Sequence, residues 1–430
     1  MKRNSYQQCL DKIYKLGRFG IKLELDTISN ILNQLDNPEK KYPMVHVAGT
    51  NGKGSTATYI ASILQKAGFK TGVYTSPHLV QFNERITING APISNEDVVK
   101  AYKAVHKAGT GERKATFFEI ATAMGFYHFA KESVQWAVIE TGMGGRFDAT
   151  NIIKPKVSVI TNLSIEHTEY LGNTIKALAK EKGGIIKACT PVVTGVSQPS
   201  GLKVIKEIAK EKSSDLYIYK RDFSARKESG QNVYTYKGVH KKFNHLIKPL
   251  PGAHQKENLC LALAACELIF DNLDENLVKE GLAITKWPGR LEHVKDNPLI
   301  IIDGAHNLKA AKVLGKYLDA TLKNRKLTLV IGILDDKPHE KMLKSLVPCA
   351  ENIIITKAKI DRSLEPSILK KAVQKITDTP VMIIEDVKNA VSHAIDISGD
   401  EDAVCIAGSL YVAGEAREKL MGDHTLKCRN

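Results

Sequence analysis

The sequence predicts an α/β protein: a P-loop-type parallel-sheet domain, then a smaller Rossmann-like α/β domain, with the active site in the interdomain cleft. Three observations predict it. Short apolar runs alternate with helical stretches from residue 44 to 196. The alternation starts afresh after Trp287-Pro288-Gly289-Arg290. The first apolar run ends in a glycine-rich turn that carries a lysine. Alternating strands and helices imply a mostly parallel sheet covered on both faces.

In the first domain the expected strands are Met44–Ala48, Thr71–Tyr74, Trp136–Glu140, Val157–Thr161 and Val192–Gly195. Helices are expected over Thr56–Ala67, Glu119–Ala130 and Gln255–Phe270. Ligands of such sheets sit beyond the carboxyl ends of the strands. Thr75 to His78, Glu140 to Gly142 and Asn162 fall at such ends. Residues 215–250 alternate, are tyrosine-rich and read as an antiparallel annex. This domain is placed at 1–287 and a linker at 288–297. The second domain, 298–430, has expected strands at Leu299–Ile302, Leu327–Ile331, Asn352–Thr356, Val381–Ile384 and Ala403–Ala407.

The segment His46-Val47-Ala48-Gly49-Thr50-Asn51-Gly52-Lys53-Gly54-Ser55 reads as strand, turn and helix start. Glycines let backbone N–H groups approach an anion, a helix N-terminus adds partial positive charge, and a lysine neutralises phosphate oxygens. The spacing departs from G-x-x-x-x-G-K-[ST]: two residues separate Gly49 from Gly52, and Gly54 stands between Lys53 and Ser55. The bland alternative is a glycine-rich turn with a solvent-facing lysine, but a tight turn rarely needs three glycines and a lysine together.

Composition excludes some classes. The chain has 430 residues, 43% hydrophobic and 25% charged, as in ordinary globular proteins. No run of about 18 apolar residues occurs, and the first residues hold no apolar stretch of signal-peptide length, so a cytoplasmic protein without a membrane partner is expected. Seven scattered cysteines without C-x-x-C read as buried free thiols. The net charge of +15 suits nucleic acid or an acidic small molecule. The lysines are spread along the chain rather than gathered in a stripe, so no nucleic-acid partner is expected.

The motifs together resemble a family. GTNGKGS, TSPHL (Thr75–Leu79), NERI (Asn83–Ile86), ETGMGGRFDATN (Glu140–Asn151) and SIEHTEYLG (Ser164–Gly172) are similar to those of folylpolyglutamate synthases. So are EKGGIIK (Glu181–Lys187), GAHQKENL (Gly252–Leu259), WPGRLE (Trp287–Glu292), DGAHN (Asp303–Asn307) and GSLYVAG (Gly408–Gly414). That family includes bifunctional dihydrofolate synthases and belongs to the Mur ligase superfamily. The resemblance runs from about Tyr6 to Gly414. Gly183 departs from a position where relatives often carry alanine.

The resemblance implies ATP-dependent ligation of L-glutamate to a folate through an acyl phosphate, with dihydropteroate as a further candidate acceptor. It implies ATP and Mg²⁺, or Mn²⁺, in a monomer. Lys53 and the backbone of Gly49, Thr50, Asn51, Gly52, Gly54 and Ser55 take the phosphates. Ser76 and Glu140 match ligands of one Mg²⁺, an oxygen pair suited to a hard cation. Ser76 alone reads equally well as a turn serine. For Glu140 the bland alternative is a solvated strand-end carboxylate, and the apolar strand before it and glycine-rich turn after it favour the metal role. His167 matches a ligand of a second metal, though among Glu166 and Glu169 it reads as a surface histidine. Lys182 matches a lysine carbamylated in the family, whereas composition reads it as a solvated helix lysine.

His254, Gln255 and Asn258 resemble a nucleotide-contacting stretch, and equally ordinary helix N-terminal polarity. Arg290 suits a phosphate oxygen. Asp303 and His306 resemble positions near ATP and the incoming glutamate. Ser409 resembles a glutamate-site residue, or serves as a helix cap. Phe117, Phe118, Arg146 and Asp148 offer contacts to a flat pteridine, although paired phenylalanines at helical spacing are more often core. Leu79 to Pro92 is expected as a mobile loop over that pocket.

Two alternatives differ. A peptidoglycan Mur ligase shares the chemistry but takes a UDP-muramyl substrate; many carry an additional N-terminal domain, where this sequence offers a helix of about thirty residues. A nucleic-acid-associated P-loop ATPase fits the basic pI of about 9.2. It lacks support from any Asp-Glu-x-Asp/His strand end.

Overall fold

A computed structural model describes residues 5–16, 24–109, 111, 113–165, 171–228 and 232–425. The chain divides into two compact units. One comprises Met1–His78, Phe82–Pro249 and Gln255–Lys286; the other comprises Leu79–Gln81, Leu250–His254 and Trp287–Asn430.

In the first unit the strands are β1 (Met44–Ala48), β2 (Thr71–Tyr74), β3 (Ile86–Ile88), β4 (Ala91–Pro92), β5 (Trp136–Glu140), β6 (Val157–Ile160), β7 (Val192–Thr194) and β8 (Leu216–Ile218). Among the described residues they form one sheet in the order β4-β3-β2-β5-β1-β6-β7-β8. β1, β2, β5, β6, β7 and β8 are parallel, and β3 and β4 add an antiparallel edge. β1 is buried at every position, as a central strand covered on both faces must be. It lies between β5 and β6, so the turn that follows it emerges beside both of their carboxyl ends.

The turn runs into the helix Lys53–Lys66, buried along most of its length. The helix Gln255–Glu267 packs against it and is buried on all sides, which its run of leucines, alanines and cysteines permits. The helix Phe117–Lys131 starts with a capping box, Thr116 with Glu119, that satisfies two of its orphan amides. Arg113 pairs with the buried Glu119 at 2.8 Å and fixes the box from outside.

Residues 215–250, expected as one antiparallel annex, split in two. β8 extends the parallel sheet beside β7. β9 (Ser224–Lys227), β10 (Val233–Lys237) and β11 (Lys242–Ile247) form a separate antiparallel sheet. Glu267, at the end of its helix, holds that sheet. Its carboxylate accepts from the Tyr236 hydroxyl at 2.6 Å and the Val239, His240 and Lys241 amides at 3.2, 2.7 and 2.8 Å.

Three other expectations differ from the structure. Among the described residues the helical stretch before β1 is not continuous: it holds the helices Ser5–Lys15 and Asp26–Gln34, with Glu24 and Leu25 non-helical before the second. Leu79–Pro92 is not an open loop throughout: Phe82–Arg85 is a 3₁₀ turn, and β3 and β4 pair through Asn89-Gly90. Both turn residues have positive φ, 49° and 78°, the signature of a two-residue hairpin turn. Of the described cysteines, Cys189 is exposed and Cys349 half-buried, whereas Cys9, Cys260, Cys266 and Cys405 are buried free thiols; Cys428 lies outside the described residues.

The second unit contains β12 (Glu292–Asp296), β13 (Leu299–Ile302), β14 (Leu327–Ile331), β15 (Asn352–Lys357), β16 (Val381–Asp386) and β17 (Ala403–Ala407). Their order is β12-β13-β17-β14-β15-β16. β12 occupies part of the stretch read as a linker, because its alternating residues pair antiparallel with β13. The other pairs are parallel. Successive side chains feed opposite faces: Ile301, Leu329, Ile331 and Ile353 enter one core, and Ile300, Ile302, Val330 and Ile354 the other. The two edges differ. β12 carries charges and an irregular register near His293 and Lys295. β16 begins Val-Met-Ile-Ile, with Met382 and Ile383 48% and 37% exposed.

Candidate active site

The phosphate loop of the first unit needs glycine at two positions on two counts. Gly49 and Gly52 have φ of 148° and 83°. A Cβ on Gly49 would lie 1.8 Å from Thr161 Oγ1, and one on Gly52 2.3 Å from Asn258 Oδ1. Gly52 is the N-cap of the helix Lys53–Lys66, which has no side-chain cap and no acidic residue in its first turn. The first-turn amides are therefore available to an anion.

The sheet register brings Glu140 and Ser76 together. β2 and β5 run abreast, with Tyr74 opposite Ile139, so the residues just beyond each strand meet. Glu140 Oε2 accepts from the Ser76 amide at 3.2 Å, and Glu140 Oε1 lies 3.8 Å from Lys53 Nζ. Glu140 is buried, not solvated at a strand end. A carboxylate and a hydroxyl beside the loop form an oxygen donor set that fits Mg²⁺ or Mn²⁺. Among the described residues no group of three His, Cys, Asp or Glu side chains gathers as a metal cage. His167 lies outside the described residues.

Lys182 is buried rather than solvated, and its Nζ donates to the Gly49 carbonyl at 2.9 Å. Gln255 and Asn258 also reach the loop. Gln255 Nε2 donates to Ser55 Oγ at 3.2 Å, and Asn258 Nδ2 donates to Gln255 Oε1 at 2.8 Å. His254 belongs to the other unit, is exposed, and stands beside Gly252.

Asp148 is buried and does local work. Its carboxylate accepts from the Met143 amide at 2.8 Å, the Thr150 amide at 3.1 Å and the Thr150 hydroxyl at 2.6 Å. Burial raises its pKa, and these hydrogen bonds oppose the rise. His46 Nε2 lies 2.8 Å from Thr150 Oγ1. That hydroxyl already donates to Asp148, so His46 supplies the proton of their bond. Arg146 is exposed, with its guanidinium 4.8 Å from the Phe147 ring.

Phe117 and Phe118 are half-buried. Phe118 packs on Gly142, where a Cβ would meet its ring at 2.4 Å. Phe117 stacks on Tyr14 at 5.8 Å and lies under the Arg85 guanidinium at 5.0 Å. Arg85 Nε also donates to His78 Nδ1 at 2.8 Å. Burial, then Arg85, pushes His78 down to about 3, so it is neutral. The sequence carried Arg85 within NERI but assigned it no partner.

In the second unit Asp303 follows β13. Its carboxylate accepts from the Leu291 and Ala305 amides at 2.8 and 2.9 Å, tying Arg290 and Leu291 to the strand end. Burial raises its pKa, and Arg290 opposes this. His306 Nδ1 lies 2.8 Å from the Gly304 carbonyl, which can only accept. The ring proton is therefore on Nδ1 in the neutral form, and Nε2 carries a lone pair. Ser409 follows β17, the neighbour of β13, and its Oγ accepts from the Val412 amide at 3.1 Å as a helix cap.

The whole defines a ligase of the Mur type. Residues 47–266 match the Mur ligase middle domain, and residues 289–410 the Mur ligase glutamate ligase domain. The chain is 34% identical to the dihydrofolate synthase/folylpolyglutamate synthase of Bacillus subtilis, covering 97% of this chain and 99% of that one. It is 33% identical to the folylpolyglutamate synthase of Lacticaseibacillus casei over 97% and 99% of the two chains. The Mycobacterium tuberculosis folylpolyglutamate synthase complexed with ADP superposes with a TM-score of 0.90, at 32% identity over 97% and 98% of the chains. The bifunctional folylpolyglutamate synthase/dihydrofolate synthase of Yersinia pestis, complexed with AMPPNP and a Mn ion, gives 0.87 at 28% identity over 98% and 100%. This chain belongs to the folylpolyglutamate synthase/dihydrofolate synthase family.

Proposed function

We propose that this chain ligates L-glutamate to folates with ATP, releasing ADP and phosphate through an acyl phosphate. One observation carries the reading: Lys53, Glu140 and Ser76 gather at the glycine-rich loop of a chain that matches both ligase domains of the family. The first-turn amides and Lys53 bind the ATP phosphates and offset their charge. Ser76 and Glu140 hold the divalent cation, which when bound neutralises phosphate oxygens. A folate carboxylate oxygen attacks the γ-phosphorus and ADP leaves. The glutamate amine then attacks the acyl carbon, the C–N bond forms and phosphate departs.

The finer roles are part of the same reading. Gln255 and Asn258 support the nucleotide side, and Arg290 takes a phosphate oxygen. His306 Nε2 accepts a proton from the glutamate ammonium, freeing the amine that attacks, and Ser409 orients the glutamate carboxylate. Asp148, by holding the turn at Met143, shapes the pterin side together with Phe118. Lys182 carries a carbamate, formed when its amine takes up CO₂ and releases a proton. The enzyme acts as a cytoplasmic monomer.

Mass spectrometry of reactions with MgATP, L-glutamate and either tetrahydrofolate or dihydropteroate tests the reading. Each accepted substrate gains one glutamyl residue. The reading fails if neither does while a UDP-muramyl peptide is extended instead.

A further inference from the structure

The phosphate loop is fastened to the end of β6 by a set of hydrogen bonds that centre on Asn162. The Asn162 side chain pairs with the backbone of Asn51 as a neighbouring strand would. Asn51 N–H donates to Asn162 Oδ1 at 3.2 Å, and Asn162 Nδ2 donates to the Asn51 carbonyl at 2.8 Å. The two bonds also fix which end of the amide is oxygen. The Asn162 carbonyl accepts from the Thr50 amide at 3.0 Å. Thr161 Oγ1 donates to the same Asn51 carbonyl at 2.7 Å. Thr50 Oγ1 donates to the Ser164 carbonyl at 3.1 Å, and lies 3.0 Å from the Ser164 amide.

The consequence lies in the peptide that joins Asn51 to Gly52. A trans peptide points its C=O and N–H in opposite directions. Two donors hold the Asn51 carbonyl toward Thr161 and Asn162, so the Gly52 N–H is turned away from β6. The amides of Thr50 and Asn51 are already engaged by Asn162. The first helical bond runs from the Thr56 amide to the Gly52 carbonyl at 2.9 Å. The amides that face out of the loop therefore begin at Gly52 and continue through the first turn of the helix.

We infer that Asn162 is a positioning residue for the nucleotide: its side-chain amide, seconded by Thr161, sets the Asn51–Gly52 peptide so that the Gly52 N–H meets phosphate. Asn162 need not touch the nucleotide to do this. The inference rests on the ATP-binding reading above.

The test uses the full chain and ADP with Mg²⁺ as the probe, by titration calorimetry, together with KM for ATP and for the folate acceptor. Asn162→Asp matches the volume and keeps an acceptor but sets a carboxylate oxygen against the Asn51 carbonyl; Asn162→Ala removes donor and acceptor together; Thr161→Val removes the second donor. Expected are about tenfold or greater losses of ADP affinity, with KM for ATP raised in parallel. KM for the folate stays within about twofold, and Asn162→Asp is worse than Asn162→Ala. A side chain that merely filled space would rank the two the other way. Unchanged ADP affinity and ATP KM in folded variants, with ADP binding by the wild type, would overturn this inference alone. Failure of all three variants to fold would overturn it too, by making these groups requirements of the fold. No ADP binding by the wild type would overturn the functional reading, and the inference with it.

Discussion

Lys182 donates its side-chain nitrogen to the carbonyl of Gly49, across 133 positions of sequence, at 2.9 Å. The first glycine of the phosphate loop is thus tied to the end of the helix Ile175–Gly183. A buried lysine in this place is both a brace and, on the proposed function, the carrier of a carbamate.

Lys182→Ala is therefore expected to be nearly inactive. If the group acts as an anion, acetate or formate restores part of the turnover, since a short acid fills the vacated space with the needed charge. An ammonium brace alone would instead be rescued by Lys182→Arg and not by the acids. Initial rates with and without added acid separate the two outcomes.

Lys53→Ala is expected to lower kcat by about 10²–10⁴, the scale of removing one charge partner from a phosphoryl-transfer transition state. Lys53 stands at the start of its helix and outside the hydrophobic clusters. The melting temperature should accordingly stay near that of the wild type. Steady-state kinetics and thermal melts on one preparation check both halves.

Activity should vanish in excess EDTA and return with Mg²⁺ or Mn²⁺. Glu140→Gln keeps the volume and an oxygen but loses the negative charge that faces Lys53 at 3.8 Å. The expected result is a rise in the metal concentration for half-maximal rate of about tenfold or more, with the fold intact. Rates titrated against free Mg²⁺ measure this.

His46 supplies a pH dependence of stability. Burial first, and Lys187 second, push it down to about 3, whereas the unfolded chain titrates near the ordinary 6.5. Between those values the unfolded state binds a proton that the folded state does not. This contribution is present above 6.5 and is lost as pH falls toward 3, at about 1.4 kcal/mol per pH unit. A His46→Gln variant that folds should show a shallower loss of urea stability between pH 6.5 and 5 than the wild type. Equal slopes would remove His46 from the account.

Strands with continuous apolar runs were legible because burial on both faces leaves a one-dimensional signature. β1, β2, β5, β13, β14 and β17 stand where their sequences place them. The hairpin at Asn89-Gly90 was legible in principle, since Asn-Gly directly after the β-branched run Ile86–Ile88 is a strong turn signal. It was obscured by reading Leu79–Pro92 as a single loop. The partners of Asn162 and Lys182 were not legible. Each depends on which strands are neighbours, and the order β5-β1-β6 is a product of packing that no local pattern encodes. Gly49 and Gly52 were visible as glycines, but the Thr161 and Asn258 atoms that forbid a side chain there were not.

The unequal edges of the second unit bear on handling. β16 offers open backbone donors and acceptors beside Met382 and Ile383, with no charge before Glu385, whereas β12 is guarded by Lys295 and Asp296. Warm, concentrated preparations should therefore turn turbid through β16, by strand-to-strand pairing between molecules. A lysine at Ile383 should lengthen shelf life without touching turnover, with light scattering during storage as the gauge.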